Sequence, residues 1–320
     1  MQKKKAQGML MLIFVNVMWG LSFIFSKTAL SEGMPAMTLA FWRYLLTAVM
    51  MLPMCLKAEK GVRLGKDAPL ALVTTLLGIT VYFYFELTGL QRTTASAASL
   101  ILALVPMLTL LFRIAFLRER ISRIRWIAVA LSLVGAYFVI ITDGGEGAGT
   151  LVGNLLMVCA CLCWTGYILS TPRLMENHSS LRVSTWQAVA AVITLSPFAL
   201  MERDAWVPVS LKAWLCIFAL AAICSALCYV LYNEAIRTVD SLTVSLTINL
   251  NPVAACIGGA LLLGEMLSGM QLFGGVLIVL SMVIDAFEST TKKTGLTFPF
   301  AAYIIETTRR WEQVRSPGLN

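Results

Sequence analysis

The sequence predicts an all-α integral membrane protein whose ten transmembrane helices form two inverted five-helix repeats. Three observations carry that prediction: ten long apolar runs, basic residues confined to alternate loops, and an internal repeat at nearly half the chain length. Of 320 residues, 58% are hydrophobic and 13% charged. A soluble chain of this size cannot bury so much apolar side chain. A run of about 20 apolar residues, rising 1.5 Å per residue, crosses the roughly 30 Å hydrocarbon core.

The runs follow in order. The first, residues 8–30, comes after Lys3, Lys4 and Lys5. It is too long for the apolar region of a cleaved leader and no small-x-small site closes it, so it is expected to stay as an anchor. The second, 37–56, contains Arg43, and the third, 69–90, contains Glu86. The fourth, 95–117, is interrupted by Pro106, and the fifth spans 126–142. The sixth, 150–172, carries Cys159, Cys161 and Cys163; the seventh, 183–200, carries Gln187. The eighth is 211–233, the ninth, 241–263, is interrupted by Pro252, and the tenth is 269–287. The runs are unbroken rather than short and alternating, which excludes a barrel, and lipid leaves helices as the remaining way to satisfy the backbone.

The eight cysteines all fall in predicted spans. Cys159-x-Cys161-x-Cys163 lacks the spacing and histidine partners of a metal site, so these are read as packing residues and no metal or cofactor is expected. The single histidine, His178, falls in a loop. The formal charge of +8 is explained by membrane orientation, so no nucleic acid is expected as a partner.

With both termini on one side, the loops of that side hold nineteen Lys and Arg, the opposite loops hold Arg92, Arg203 and Lys212, and Lys27, Arg43 and Arg113 lie within spans. Basic loops resist translocation, so both termini are expected in the cytoplasm. Beyond Glu288, Phe298, Phe300, Tyr303, Ile304 and Trp311 interleave with Arg309 and Arg310, a pattern open to an amphipathic helix on the inner leaflet or to a disordered tail.

Shifting the chain by 146 residues places Ser99 on Ser245, Pro106 on Pro252 and Glu119 on Glu265, and aligns Leu117-Arg-Glu-Arg-Ile-Ser122 with Leu263-Gly-Glu-Met-Leu-Ser268. Shifts of 145 and 144 place Trp19 on Trp164 and Trp42 on Trp186. Residues 1–145 are therefore expected to form the first five-helix repeat, 146–288 the second, and 289–320 a cytoplasmic tail. An odd number of helices per repeat inverts the second relative to the first. That layout suits secondary transport, with a midplane site exposed alternately to the two sides.

The segments Trp19-Gly-Leu-Ser-Phe23 with Lys27, Phe41-Trp-Arg43, Glu86-Leu-Thr-Gly-Leu-Gln-Arg92, Pro106 followed by Leu117-Arg-Glu119-Arg-Ile-Ser122, and Asn251-Pro252 with Gly264-Glu265 resemble the drug/metabolite transporter superfamily of EamA type. The resemblance covers about residues 8–288. It implies a ten-helix fold, cytoplasmic termini, a bacterial inner membrane and export of amino acids or related metabolites. Glu86 stands where the resemblance implies a neutral residue.

Several residues are candidates for the pathway. Asn16, Trp19, Phe23 and Lys27 are spaced by three, four and four and share one helix face. Tyr82 and Trp164 add aromatic lining suited to stacking or cation–π contact. Charges within spans are costly and tend to line water or pair. Lys27, Arg43 and Glu86 lie at similar depth, so Glu86 is expected to pair with Arg43 or Lys27, as a gate, a substrate contact or a structural ion pair. Their second-half counterparts are Pro172, Gln187 and Tyr232, so the two gates are expected to differ. Pro106 and Pro252 break helices 4 and 9, beside Ser99 on one and Ser241, Ser245 and Asn249 on the other. Glu119 and Glu265, at helix ends, are read as capping or anchoring residues.

These readings favour a transporter of small solutes, working with membrane lipid, as a monomer or dimer. No nucleotide-binding glycine loop is present; protons would couple through Glu86 or Glu234. A lipid scramblase or flippase is the alternative. A membrane-embedded lipid enzyme fits less well because the acids are isolated.

Overall fold

The computed structural model describes residues 2–59, 61–117, 122–141, 150–235 and 250–294, and every regular element among them is helical. The first half contributes α1 (Gln2–Ser31), α2 (Ala36–Glu59), α3, α4 and α5 (Arg123–Ile141). Helix α3 is Ala68–Thr75 joined to Val81–Leu90 by a π-helical turn, Leu76–Thr80. Helix α4 is Ala95–Leu102 followed by Val105–Leu117.

The second half contributes α6 (Leu151–Asn177), α7 (Ser180–Met201), α8, α9 and α10 (Gly269–Thr294). Helix α8 is Leu211–Ala219, a π-helical turn Leu220–Leu227, and Cys228–Ala235. Helix α9 is Leu250–Gly258 and a π-helical turn Gly259–Leu263. Seven of the ten helices are long and apolar enough to cross a membrane, and α5, α9 and α10 contain shorter apolar stretches.

Large apolar side chains such as Ile193, Leu215 and Leu261 face outward, while Thr74, Thr75, Asn154 and Thr165 are buried inside. An outward face rich in large apolar side chains, with these polar groups sheltered inside, suits lipid as the solvent. Asn249, Ser241, Ser245, Glu119 and the tail beyond Thr294 lie outside the described residues.

Packing obeys an exchange rule between the halves. Helix α5 packs on α10 and α2 on α7; α3 on α6 is mirrored by α8 on α1, and α1 on α9 by α6 on α4. Swapping the first five helices for the last five maps this set onto itself. The π-helical turns of α3 and α8 also fall at equivalent places.

Two carboxylates fix the direction. Glu202, just past the end of α7, accepts from Met37 N (3.1 Å), Thr38 N (2.7 Å) and Thr38 Oγ1 (2.9 Å) at the start of α2. Glu59, at the end of α2, accepts from Ser179 Oγ and pairs with Arg182 (3.0 Å) at the start of α7. The end of each helix meets the beginning of the other, so these counterparts run antiparallel and the repeats are inverted. Beside Glu59, loop residue His178 contacts Asp67 at 2.9 Å.

The turn between α3 and α4 is held from several sides. Lys27 Nζ, on α1, donates to Leu90 O and Thr93 O, both at 2.6 Å, placing a cation against the carbonyl end of α3. Glu265 accepts from Ala95 N (2.9 Å), Ser96 N (3.1 Å) and Ser96 Oγ (3.1 Å), and Thr94 Oγ1 accepts from Ala97 N (3.0 Å). The first amides of α4 are thereby satisfied by a carboxylate 170 positions away in sequence and by a local threonine. Glu265→Ala is expected to cost about 1–2 kcal/mol, seen as a lower Tm of the purified protein. Glu265→Gln, which keeps acceptor oxygen but loses charge, should recover part of that loss. A Tm unchanged in both variants would show that the contact contributes nothing to stability.

Candidate functional site

The repeat counterparts Trp19 and Trp164 lie near the middles of α1 and α6 and meet edge-on, ring centroids 6.0 Å apart and planes at 87°. Residues related by an inverted repeat touch where the pseudo-two-fold axis passes, so this pair marks the axis. Around it, Tyr82 lies 5.2 Å from Trp164, Tyr229 lies 5.7 Å from Trp19 and Tyr232 lies 5.2 Å from Trp19. Trp19 is held by its indole N–H, which donates to Cys224 O at 3.0 Å. That carbonyl lies in the π-helical turn of α8, where widened backbone bonding leaves acceptors for side chains. Thr47 Oγ1 uses Ala221 O of the same turn at 3.2 Å.

These rings wall a small cavity of about 60 Å³. Its lining comes from both repeats: α1, α2, α3 and α4 on one side, α6, α8 and α9 on the other. Of the residues singled out from sequence, Trp19, Phe23, Arg43, Tyr82, Glu86, Ser99, Trp164 and Pro252 all reach it. Asn16 does not; it is buried and donates to Leu12 O of its own helix at 2.8 Å. Although it shares the face of Trp19, its amide turns back onto the backbone.

The expected pairing of Glu86 with Arg43 or Lys27 is not what forms. The ammonium of Lys27 is taken by the two carbonyls at the end of α3, because a helix end in lipid must satisfy its last carbonyls locally. Arg43 reaches the cavity, donates through Nε to Ser225 Oγ at 2.8 Å and lies 4.7 Å over the ring of Phe83. Glu86 accepts at Oε1 from Tyr82 OH at 3.2 Å. Its Oε2 is buried and accepts no hydrogen bond from any described residue. Arg43 and Glu86 are each only 5% exposed, line one cavity and make no ion pair.

Helix α4 is interrupted beside this cavity. Ala103 N still bonds Ser99 O (3.2 Å), whereas Leu104 N bonds Ile101 O (3.0 Å), a tightened turn just before Val105 and Pro106. Proline cannot donate to the preceding turn, so the chain closes that gap with a shorter-range bond. In α9, Pro252 lies on the cavity wall.

Sequence reasoning missed Tyr229, Asn251, Ser22 and Phe83 as lining residues. Two of these left a signal: Asn251 adjoins Pro252, and Tyr229 lies three residues before Tyr232 on the same face. The counterpart of Arg43 behaves differently. Gln187 donates to Thr74 Oγ1 at 2.9 Å and accepts from Tyr167 OH at 3.5 Å, away from this cavity.

The profile of the EamA-like transporter family matches the chain twice, at residues 6–141 and 151–285. The chain belongs to the EamA-like transporter family. Both copies fall on the helical repeats described above. A Bacillus subtilis protein named "uncharacterized transporter YyaM" is 26% identical over 284 residues, 86% of this chain and 92% of that protein. A Salmonella typhimurium protein named "probable amino-acid metabolite efflux pump" is 25% identical over 304 residues, 91% of this chain and 98% of that one. A solved crystal structure superposes with a TM-score of 0.64 over 90% of this chain and 99% of its own at 18% identity, a likeness of fold. The chain is thus an integral membrane protein of a transporter family.

Proposed function

We propose that this EamA-family protein is a secondary transporter that exports small amino-acid-like metabolites, and not an enzyme. The observation that carries this reading is the cavity at the Trp19–Trp164 axis, shared by both inverted repeats and holding the Arg43 guanidinium and the Glu86 carboxyl group among aromatic rings. A site on the pseudo-symmetry axis can be exposed to either side as one repeat rocks against the other. The functional units are residues 1–145 and 146–288, in a bacterial inner membrane, with the basic ends of the helices in the cytoplasm. Trp19, Phe23, Tyr82, Glu86, Ser99 and Trp164 contact substrate. The breaks at Pro106 and Pro252 let α4 and α9 yield as the site changes sides. Export is the direction supported by the name of the Salmonella relative, and Glu86 is the residue through which protons would couple.

The test is reconstitution of the purified protein in liposomes with labelled leucine and phenylalanine, against a fluorescent phospholipid. Solute exchange is expected without lipid movement. Trp19→Ala and Trp164→Ala should each slow it about tenfold or more, since each removes a stacking wall. Lipid translocation with no solute exchange would overturn the proposal in favour of a scramblase.

A further inference from the structure

The cavity carries more chemical information than its shape. Two of its buried acceptors have no donor among the described residues: Glu86 Oε2 and Asn251 Oδ1. Glu86 is 5% and Asn251 8% exposed, so bulk water does not solvate them freely. Unpaired buried acceptors are costly, and more so when charged. A cavity that keeps two of them suits a ligand that brings N–H donors. The aromatic rings of Trp19, Tyr82, Trp164, Tyr229 and Tyr232 favour the same kind of group, because ring faces attract cations.

The opposite requirement is met by Arg43. Its Nε donates to Ser225 Oγ and its Cζ stands 4.7 Å from the centroid of the Phe83 ring, two contacts that hold the guanidinium. Its terminal nitrogens donate to no described side chain. A fixed guanidinium with free terminal nitrogens suits a carboxylate, which it can bind through two bonds. Arg43 and Glu86 line one cavity with no direct ion pair between them, so the terminal nitrogens of Arg43 and Oε2 of Glu86 are left for a ligand. The asymmetry between the repeats fits this, since Gln187 and Tyr232 stand at the equivalent second-half positions and carry no charge.

We infer that the cavity is a zwitterion site: Glu86 and Asn251 take a primary ammonium group, Arg43 takes a carboxylate, and the rings take the apolar body between or beside them. This rests on the transporter reading above and narrows it to α-amino acids with an apolar or aromatic side chain. Simple amines and simple carboxylic acids each satisfy half of the site and leave the other charge desolvated without a partner, a penalty that discriminates strongly.

The experiment compares six probes on the purified full-length protein by thermal shift and calorimetry: leucine and phenylalanine, their decarboxylated amines isoamylamine and phenethylamine, and their deaminated acids 4-methylpentanoate and 3-phenylpropionate. Each amino acid is expected to bind about tenfold or more tightly than either of its analogues. Glu86→Gln should weaken the amino acids by about ten- to a hundredfold and change the acids by less than about twofold. Arg43→Lys should weaken acids and amino acids and spare the amines. An analogue that binds the unaltered protein as tightly as its parent amino acid overturns the inference, and this comparison needs no variant to fold. If none of the six binds at roughly millimolar concentration while the liposomes move some other solute, the zwitterion site is wrong and the transporter reading survives. If no solute moves at all, the failure lies in the transporter reading.

Discussion

Gly20→Leu is expected to prevent the two repeats from closing and to leave little folded protein. A Cβ at position 20 would stand 2.5 Å from Asn251 O, 2.7 Å from Ala254 Cβ and 3.2 Å from Ala255 N. Two of those neighbours are backbone atoms of α9, so no rotamer change relieves the clash and α1 must move away from α9. Without a hydrophobic drive between helices in lipid, close backbone approach is itself a main source of association. Overpacking of a dense interior costs about 1–3 kcal/mol for added methylenes, and a leucine against backbone belongs at the upper end or beyond. The displacement also carries Asn251 out of the cavity wall. The measurement is the yield of monodisperse protein and its Tm, with Gly269→Leu as the control, because a Cβ there meets nothing within 4 Å. Equal behaviour of the two variants would refute the close approach. The same argument applies where α5 crosses α10: a Cβ on Gly135 meets Gly274 O at 2.6 Å and one on Gly274 meets Gly135 O at 2.5 Å.

The second large effect concerns the cavity's charges. Arg43→Met is expected to destabilise by about 3 kcal/mol, because it leaves the Glu86 carboxylate buried with no positive charge in the same cavity. Adding Glu86→Gln should restore most of that stability by making the cavity neutral. Transport should stay absent in both, since neither variant offers a carboxylate partner. Thermal unfolding separates the two quantities from liposome transport as a double-mutant cycle. If the double variant loses stability as the simple sum of the two single changes, Arg43 and Glu86 are not coupled through the cavity. The fold would then rely on Arg43 only for its contacts with Ser225 and Phe83.

Much of the site was legible because helical spacing and the internal repeat are one-dimensional signals. Trp19 and Phe23 lie on one face by count alone, and the 145-residue shift that joins Trp19 to Trp164 turned out to join residues that touch. Charges at unusual depth marked Arg43 and Glu86 as residues needing an explanation. Their partners were not legible. Three charges at similar depth on different helices look like a cluster until rotation about each axis is known. Lys27 turns toward the end of α3, where two carbonyls compete for it, while Arg43 and Glu86 turn inward. Tyr229 and Asn251 were missed for a related reason: an aromatic or amide within a span is common in packing, and only the shape of the neighbours shows which face is hollow. Glu265 was read as a residue that caps or anchors a helix, yet which helix it serves, α4 of the other repeat, depends on a contact no local pattern encodes.

The sequence by itself determined the solvent, the helix number and the inverted duplication, because each follows from composition or order along the chain: apolar length against bilayer thickness, and five spans repeated once. Tertiary structure alone decided the azimuth of every helix. Side chains at one depth can face lipid, a neighbour or a cavity, at very different electrostatic cost in low dielectric. The choice for Lys27, Arg43 and Glu86 was made by which carbonyls, hydroxyls and rings the packing of α1, α3 and α8 brought within reach.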